Sequence, residues 1–445
     1  MSRYLIAFLG LTCVACAPEE RGLLTSDIVS YRITLKSPQE LGSEQEPLAE
    51  ENPHPITVDV EALGADGQIR ADYSGDLKLW VFFQGTLSPA LDENGSAVVS
   101  LVAGGAYDVT RTLPVAFGPT TVWVEDVRRL DDGTLDCLGP YPPVGGGPDH
   151  CSYATGSSPV IHYRNPYLDE VQQPLDPTSS TATFQSLLMG KSVLVDHPRD
   201  PDGLLVVTGA YAQAFTVSDV SPSAVALGYN HVYVYSYSRA KRNDSTAVMA
   251  GDIVASCDAS GCRGYLTGGV KEFVGFTELD FPLYDVSPPA PDAPECRCGL
   301  SFRADGSACE SKVWAPCVEP VKVDPAWLQG LGAPNDQDLE RLEAGLVSVE
   351  NALVCPFDEA DWTTYGQFTV DIGSGCRLAV ASKGVVPGLD PVAAQGQTLR
   401  TIIGTLRNVS DYSSSGPPST YSFWILYPRA AEDVDCGDAS AGCAQ

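Results

Sequence analysis

Leu204-Leu205-Val206-Val207-Thr208-Gly209-Ala210, Ala214-Phe215-Thr216-Val217-Ser218-Asp219 and His231-Val232-Tyr233-Val234-Tyr235-Ser236-Tyr237 follow one another within residues 204–237. Each is a short run rich in β-branched or aromatic side chains. The longer break between them, Val220–Asn230, carries Pro222, Gly228 and Asn230. Short runs of this composition divided by turn residues read as strands. In the third run Val232 and Val234 alternate with Tyr233, Tyr235 and Tyr237, so the valines line one face and the tyrosines the other.

The same texture extends in both directions. Gly 42 and Pro 34 in 445 residues, with many short apolar runs, point to an all-β fold. The one fair helical stretch is Asn335–Leu342, where Asn335 or Asp336 can cap and Leu339 and Leu342 share a face. A chain of this length exceeds a single core, so several modules are expected.

Residues 27–128 hold strand-like Ile28–Lys36, Ile56–Ala62, Leu77–Phe83, Ala97–Val102 and Thr120–Glu125, at the spacing of an immunoglobulin-like β-sandwich. Residues 129–180 form a Cys-, Pro- and Gly-rich connector, with a strand-like Pro159–Tyr163. Residues 181–286 add Ser192–Asp196, Asp252–Ser256 and Val270–Phe273 to the three opening runs, enough for a small closed barrel. A Cys-rich insert at 287–334 has too little apolar content for its own core. Residues 335–435 repeat the barrel pattern with Glu343–Asn351, Gly366–Asp371, Arg377–Ala381, Leu399–Arg407 and Tyr421–Tyr427, and 436–445 form a disulfide-closed tail.

The chain opens Met1-Ser2-Arg3, then runs apolar to Cys13-Val14-Ala15-Cys16. A charged start, a short apolar run and a small residue before a cut describe a secretory signal over 1–15. The run is far short of the ~20 residues that span a bilayer. Cys-Val-Ala-Cys resembles a bacterial lipobox, with Cys16 as the lipid-bearing N-terminus and 16–26 as a tether; Leu is usual where Cys13 stands. The plainer alternative is an ordinary secretory signal beside a chance cysteine. Ala17-Pro18 lacks the Asp that retains such proteins at the inner membrane, which leans toward the outer membrane and the cell surface or periplasm.

Of 14 cysteines, removing Cys13 with the signal and acylating Cys16 leaves 12 in local groups. They are Cys137 and Cys151; Cys257 and Cys262; Cys296, Cys298, Cys309 and Cys317; Cys355 and Cys376; Cys436 and Cys443. In an exported protein these are expected to be disulfides. Zinc is the rival for the four-cysteine cluster, although no histidine lies near it.

From Leu205–Ala210 and Phe215–Asp219, through Val232–Tyr235, Ala250–Asp252 and Gly268–Leu279, the second module resembles the OB-fold region attached to bacterial extracellular nucleases of the endonuclease/exonuclease/phosphatase type. Gly345–Asn351, Tyr365–Asp371, Ile403–Leu406 and Leu426–Asp433 resemble its companion half. The resemblance implies two OB-like barrels and an ancillary binding role. It does not imply nuclease activity, because the sequence stops about ten residues after Asp435 and leaves no place for that family's catalytic domain. The whole layout also resembles uncharacterised myxobacterial surface lipoproteins, which implies a location and no activity.

Five histidines (His54, His150, His162, His197, His231) form no metal-ligand spacing or evident triad, and no Gly-x-Ser-x-Gly or phosphate loop occurs. Asp66-Gly67, Asp200–Gly203 and Asp305-Gly306 read as turns rather than calcium loops. No cofactor, metal or enzymatic activity is expected. The candidate ligand face is Tyr233, Tyr235 and Tyr237 with the basic rim Arg239, Lys241 and Arg242. On a barrel, such a face can stack against bases or sugars; the plainer alternative is that the tyrosines pack against the barrel exterior or a seam. Net charge is −30, and the second module counts seven basic against 11 acidic residues, net −4, while the third counts six against 14, net −8. Phosphate binding draws on several free Lys and Arg, so a neutral sugar or a protein suits this charge better. Two functions follow: a non-catalytic surface lipoprotein acting in adhesion or protein assembly, or an accessory nucleic-acid-binding component of an extracellular nuclease system.

Overall fold

The computed structural model describes residues 28–88, 96–126, 154–174, 186–273, 275–288, 318–329, 337–410 and 422–437. The signal and tether, Cys16, Cys137, Cys151, His150, Asp305, Cys296, Cys298, Cys309, Cys317, Cys443 and the helix-cap candidates Asn335 and Asp336 lie outside the described residues. The chain divides into two compact units, 1–163 and 164–445. That boundary falls inside the stretch read as a connector.

In the first unit, β1 (Ser30–Ser37), β2 (His54–Leu63), β3 (Gly75–Ser88), β4 (Ala97–Leu101) and β5 (Gly105–Asp126) join in the order β1-β2-β5-β3-β4. β6 (Thr155–Ser157) and β7 (Ile161–His162) both pair with β5. The 22-residue β5 carries two partners in succession: β2 along Gly105–Leu113, and β3 from Thr112 to Asp126. β2 alternates buried and solvent-facing side chains, as a strand with one covered face must. Its Ile56, Val58, Val60 and Ala62 meet Leu77, Leu79, Val99, Val122 and Val124 in one apolar core.

The second unit begins with a short helix, α1 (Leu168–Gln172), followed by β8 (Ser192–Val195), β9 (Leu204–Ala210), β10 (Ala214–Asp219), helix α2 (Pro222–Leu227), β11 (His231–Tyr235), β12 (Ile253–Asp258), β13 (Gly261–Glu272) and β14 (Thr277–Asp285). The runs at 204–210 and 214–219 coincide with β9 and β10. Pairing runs β12-β9-β10-β11-β14-β13, and β12 also pairs with β13, which closes a six-stranded barrel with β8 outside on β13. The β11–β14 pair is parallel. Closure demands close approach: a Cβ on Gly264 (φ +82) would stand 2.1 Å from the Val254 carbonyl oxygen.

The remaining elements are β15 (Val321–Lys322), α3 (Gln337–Glu340), β16 (Leu346–Val354), α4 (Glu359–Tyr365), β17 (Gln367–Asp371), β18 (Cys376–Ala381), α5 (Pro391–Ala394), β19 (Thr398–Ser410), β20 (Ser422–Tyr427) and β21 (Val434–Asp435). β16-β17-β18-β20-β19 form a ring through a β16–β19 pairing, with β18 and β20 parallel. Trp424, Leu378, Val380, Ile402 and Leu406 are among its core side chains. The strand expected to start at Glu343 starts at Leu346 instead. Glu343 sits in the turn after α3, where Ala344 takes φ 60 and Gly345 follows.

The described residues are therefore mostly β, with short helices. Two disulfides lie wholly among them: Cys257–Cys262 closes the β12–β13 hairpin, and Cys355–Cys376 ties β18 to the residue following β16. Cys436 is disulfide-bonded as well. No helix among the described residues is long and apolar enough to cross a membrane.

Candidate ligand-binding site

β11 sends Val232 and Val234 into the barrel, both fully buried. Tyr233 and Tyr235 therefore stand on the outside, as the period-two reading requires, while Tyr237 lies beyond the strand's end with φ 59, and the three do not share one environment. Tyr233 turns into the seam with the second ring. Tyr235 and Tyr237 continue to the surface, their rings 4.6 Å apart.

Tyr237 meets Phe281 at 5.0 Å with 32° between the planes. Phe281 was not singled out in the sequence, and the signal that marks it is structural. Register between β13 and β14 shifts between Thr267 and Gly269, so the segment from Asp280 to Leu283 carries one extra residue. That is a β-bulge, a device that re-aims a side chain. Phe281 takes φ 50 and is 77% exposed, and Tyr237 takes φ 59 and is 44% exposed. A bulky side chain in the left-handed region is disfavoured, and Phe281 precedes Pro282, which restricts its backbone further. Such strain persists where the surroundings over-determine it and is enriched at ligand sites.

Asp280 is that determinant. Its Oδ1 accepts hydrogen bonds from the Tyr237 hydroxyl and from the Phe281 backbone N–H (3.1 Å). The bond to Asp280 pushes the Tyr237 hydroxyl up to about 12. Lys271 Nζ lies 3.5 Å from Asp280 Oδ2 and 3.9 Å from Glu278 Oε1, with its own side chain 47% exposed. The result is a ridge of aromatic rings with a carboxylate at its base and an ammonium at its edge. Its chemistry is stacking plus a few hydrogen bonds.

The basic rim is only partly available. Arg242 makes a two-pronged ion pair with Asp252 (2.7 and 2.8 Å) and is committed to holding the loop before β12. Arg239 and Lys241 are exposed, and the Lys241 backbone N–H donates to the Tyr284 hydroxyl at 3.3 Å. The described histidines are dispersed. His231 Nδ1 lies 2.7 Å from Ser218 Oγ, but both are buried, and burial pushes the imidazole down to about 4. His197 pairs with Asp196 at 2.6 Å, and His54 stacks on Tyr163 at 4.0 Å. Among the described residues no group of three or more His, Cys, Asp or Glu could hold a metal ion.

The seam beneath Tyr233 is polar and tightly bonded. Arg407 of β19 projects its guanidinium toward the rings of Phe276 (4.8 Å), Tyr233 (5.7 Å) and Tyr427 (6.0 Å). Tyr211 donates to Thr405 Oγ1 at 2.6 Å, and Arg429, clamped on Asp433, donates to the Thr208 carbonyl at 3.1 Å. Glu343 Oε2 accepts from Gln172 Nε2 (2.8 Å) and from the Thr277 N–H (3.0 Å), while the Thr277 hydroxyl donates to Glu272 at 3.0 Å. Burial, reinforced by the neighbouring Glu272, pushes Glu343 well above the carboxylate range; burial pushes Glu272 up to about 7.

No protein-family model matches the chain, and no curated protein does. Among solved structures, a similarity to the crystal structure of dimeric latent PorU from Porphyromonas gingivalis has a TM-score of 0.19 and 10% identity. It covers 92% of this chain and 32% of that one, so the chain spans about a third of its length. A likeness at that TM-score carries no argument about fold or function.

Proposed function

We propose that this protein is a non-catalytic surface lipoprotein, anchored by acyl chains on Cys16 and acting in adhesion or assembly through the Tyr235–Tyr237–Phe281 ridge. The observation that carries the reading is Phe281: a large apolar ring held in strained backbone, 77% exposed, beside a second strained aromatic. Folding alone gains nothing from that arrangement, since an exposed ring contributes little burial.

In this reading both rings are OB-like barrels. The five-stranded ring orders its strands first-second-third-fifth-fourth with a parallel third–fifth pair, and the six-stranded barrel has the same order with the β12–β13 hairpin in the fourth place. The first unit is read as an immunoglobulin-like sandwich whose two layers share β5. Disulfides support an oxidising, exterior compartment. An acyl chain adds ~0.8 kcal/mol per buried CH₂, so two or three chains anchor stably, and a tethered ridge gains effective concentration at the surface. Nucleic acid is disfavoured by the net charge of −30 and by the commitment of Arg242 to Asp252.

The test has two parts. Metabolic labelling with a clickable palmitate analogue should mark the wild type and not C16S. Cells displaying F281N should lose self-adhesion or partner capture while exporting the protein normally. Full adhesion with F281N and Y237A would remove the ridge from the function, and unlabelled wild type would remove the anchor.

A further inference from the structure

From the groups around the ridge we infer that its ligand is a neutral, hydroxyl-rich glycan. This rests on the ridge being the binding face, and it names the ligand class.

A ligand here must satisfy two demands at once. Phe281 and Tyr237, 5.0 Å apart, present ring faces that must be covered to gain anything. Directly beside them are charges that must not be stripped of partners: Lys271, 47% exposed, and the acids Asp280 and Glu278 that it neighbours at 3.5 and 3.9 Å. An apolar protein face or a lipid surface would cover the rings but strip water from the exposed part of Lys271, whose carboxylates at 3.5 and 3.9 Å do not take up all of its N–H groups, a net cost. A sugar ring offers both surfaces. Its C–H face stacks on the aromatic pair, and its hydroxyls accept from the half-exposed Lys271 ammonium, while the buried Asp280 and Glu278 hold Lys271 and the Tyr237 hydroxyl in place. Ligand sites of this kind combine apolar and aromatic lining with a few placed polar groups.

Charge decides between neutral and anionic glycans. The protein carries −30 overall, and Lys271 is already opposed by two carboxylates at the ridge. Uronic-acid polymers and phosphates meet repulsion at long range. The bulge adds pre-organisation: before any ligand arrives the Asp280 hydrogen bond holds the Phe281 backbone and the Tyr237 ring lies beside its side chain, which lowers the ordering cost of binding.

The experiment is affinity electrophoresis and calorimetry of the full exported chain. The probes are hydroxyethylcellulose, galactomannan, dextran and soluble β-1,3-glucan as neutral polymers, alginate as the anionic one, and phosphatidylcholine vesicles as the lipid. Retention by at least one neutral polymer is expected, with alginate and vesicles inert. F281N, whose Asn suits the left-handed backbone, and Y237A should each weaken that binding about tenfold or more, the scale of one lost stacking anchor. A cooperative thermal transition, at or above the wild-type temperature in F281N, shows that both variants fold. Binding to no neutral polymer, or neutral-polymer binding that survives both substitutions, overturns the inference. If glycans do not bind yet F281N abolishes adhesion, the ridge stands and the ligand class falls. If F281N leaves adhesion intact, the ridge itself falls.

Discussion

Glu343 poses a sharper problem than any other single residue. Its side chain is fully buried, Oε2 accepts two hydrogen bonds, and Oε1 has no partner. Gln172, equally buried, donates to Oε2 through Nε2 and leaves its own Oε1 without a partner. A proton on Glu343 supplies the missing donor between those two oxygens, giving the paired acid–amide arrangement that a carboxylate cannot form. The raised pKa of Glu343 points the same way. E343Q should therefore fold well and melt higher than wild type above pH 7, because Gln keeps a donor where the ionised acid has none. E343A leaves Gln172 and the Thr277 N–H unsatisfied and should cost about 2–4 kcal/mol in urea unfolding. A lower melting temperature for E343Q than for wild type at pH 8 would contradict the protonated state. Phe281 makes the opposite trade. F281G relieves its backbone and loses little burial, so it should stabilise the second unit by about 1 kcal/mol while binding is lost.

At the scale of elements, closure of the six-stranded barrel depends on β12 meeting β13. Gly264 allows that approach, and G264A should destabilise it by about 3 kcal/mol or more, read by denaturant unfolding. The two disulfides differ in reach: Cys355–Cys376 spans 21 residues and Cys257–Cys262 spans five. The chain-entropy rule gives about 3 kcal/mol for the longer loop and about 2 for the shorter, so C355A/C376A should be the more costly double substitution. Much of this was legible beforehand. β9 and β10 are read to the residue because continuous β-branched runs leave no helical alternative, and the cysteines lie close enough in sequence to suggest their pairs. β14 was not expected as a strand, because Glu278, Asp280, Pro282 and Asp285 mask its apolar alternation. The first half of β5 was missed because Asp108, Thr110, Arg111 and Thr112 are polar. The site divides in the same way. Tyr235 follows from period two, whereas Tyr237 lies past the strand's end in left-handed backbone and Phe281 depends on a one-residue slip against β13, neither of which a local pattern records.

Over the whole molecule, ionisation should act unequally on the two units: among the described residues, Glu272 and Glu343, both pushed well up by burial, belong to the second. A folded pKa above the model-peptide 4.5 means the native state binds more protons, so these groups favour folding at low pH and lose that contribution as pH rises toward about 7 and beyond. His231 has the opposite sign. Its folded value of about 4 lies below 6.5, so its contribution grows between those limits and is complete above them. Between about pH 4.5 and 6.5 the one histidine therefore offsets about one of the two losses, those of Glu272 and Glu343, and the other remains. Above 6.5 nothing from His231 remains to gain, while Glu272 and then Glu343 still have protons to release. Arg407 stabilises the resulting charge only in part, since its guanidinium also faces Tyr233, Phe276 and Tyr427 and its neighbour Glu278 competes for it. Calorimetric scans from pH 5 to 9 should show the second unit's transition falling from the start of that range, and more steeply just above about 6.5, where His231 no longer opposes the two acids. In E343Q the transition should stay nearly level to about 6.5, where His231 offsets Glu272, and fall only slightly up to about 7. In the first unit Asp59 and Asp72 have lowered values, so their contribution is complete well below this range, and that unit's transition should stay flat across it. A fall above pH 6.5 that E343Q leaves unchanged would place the titrating group elsewhere than the seam.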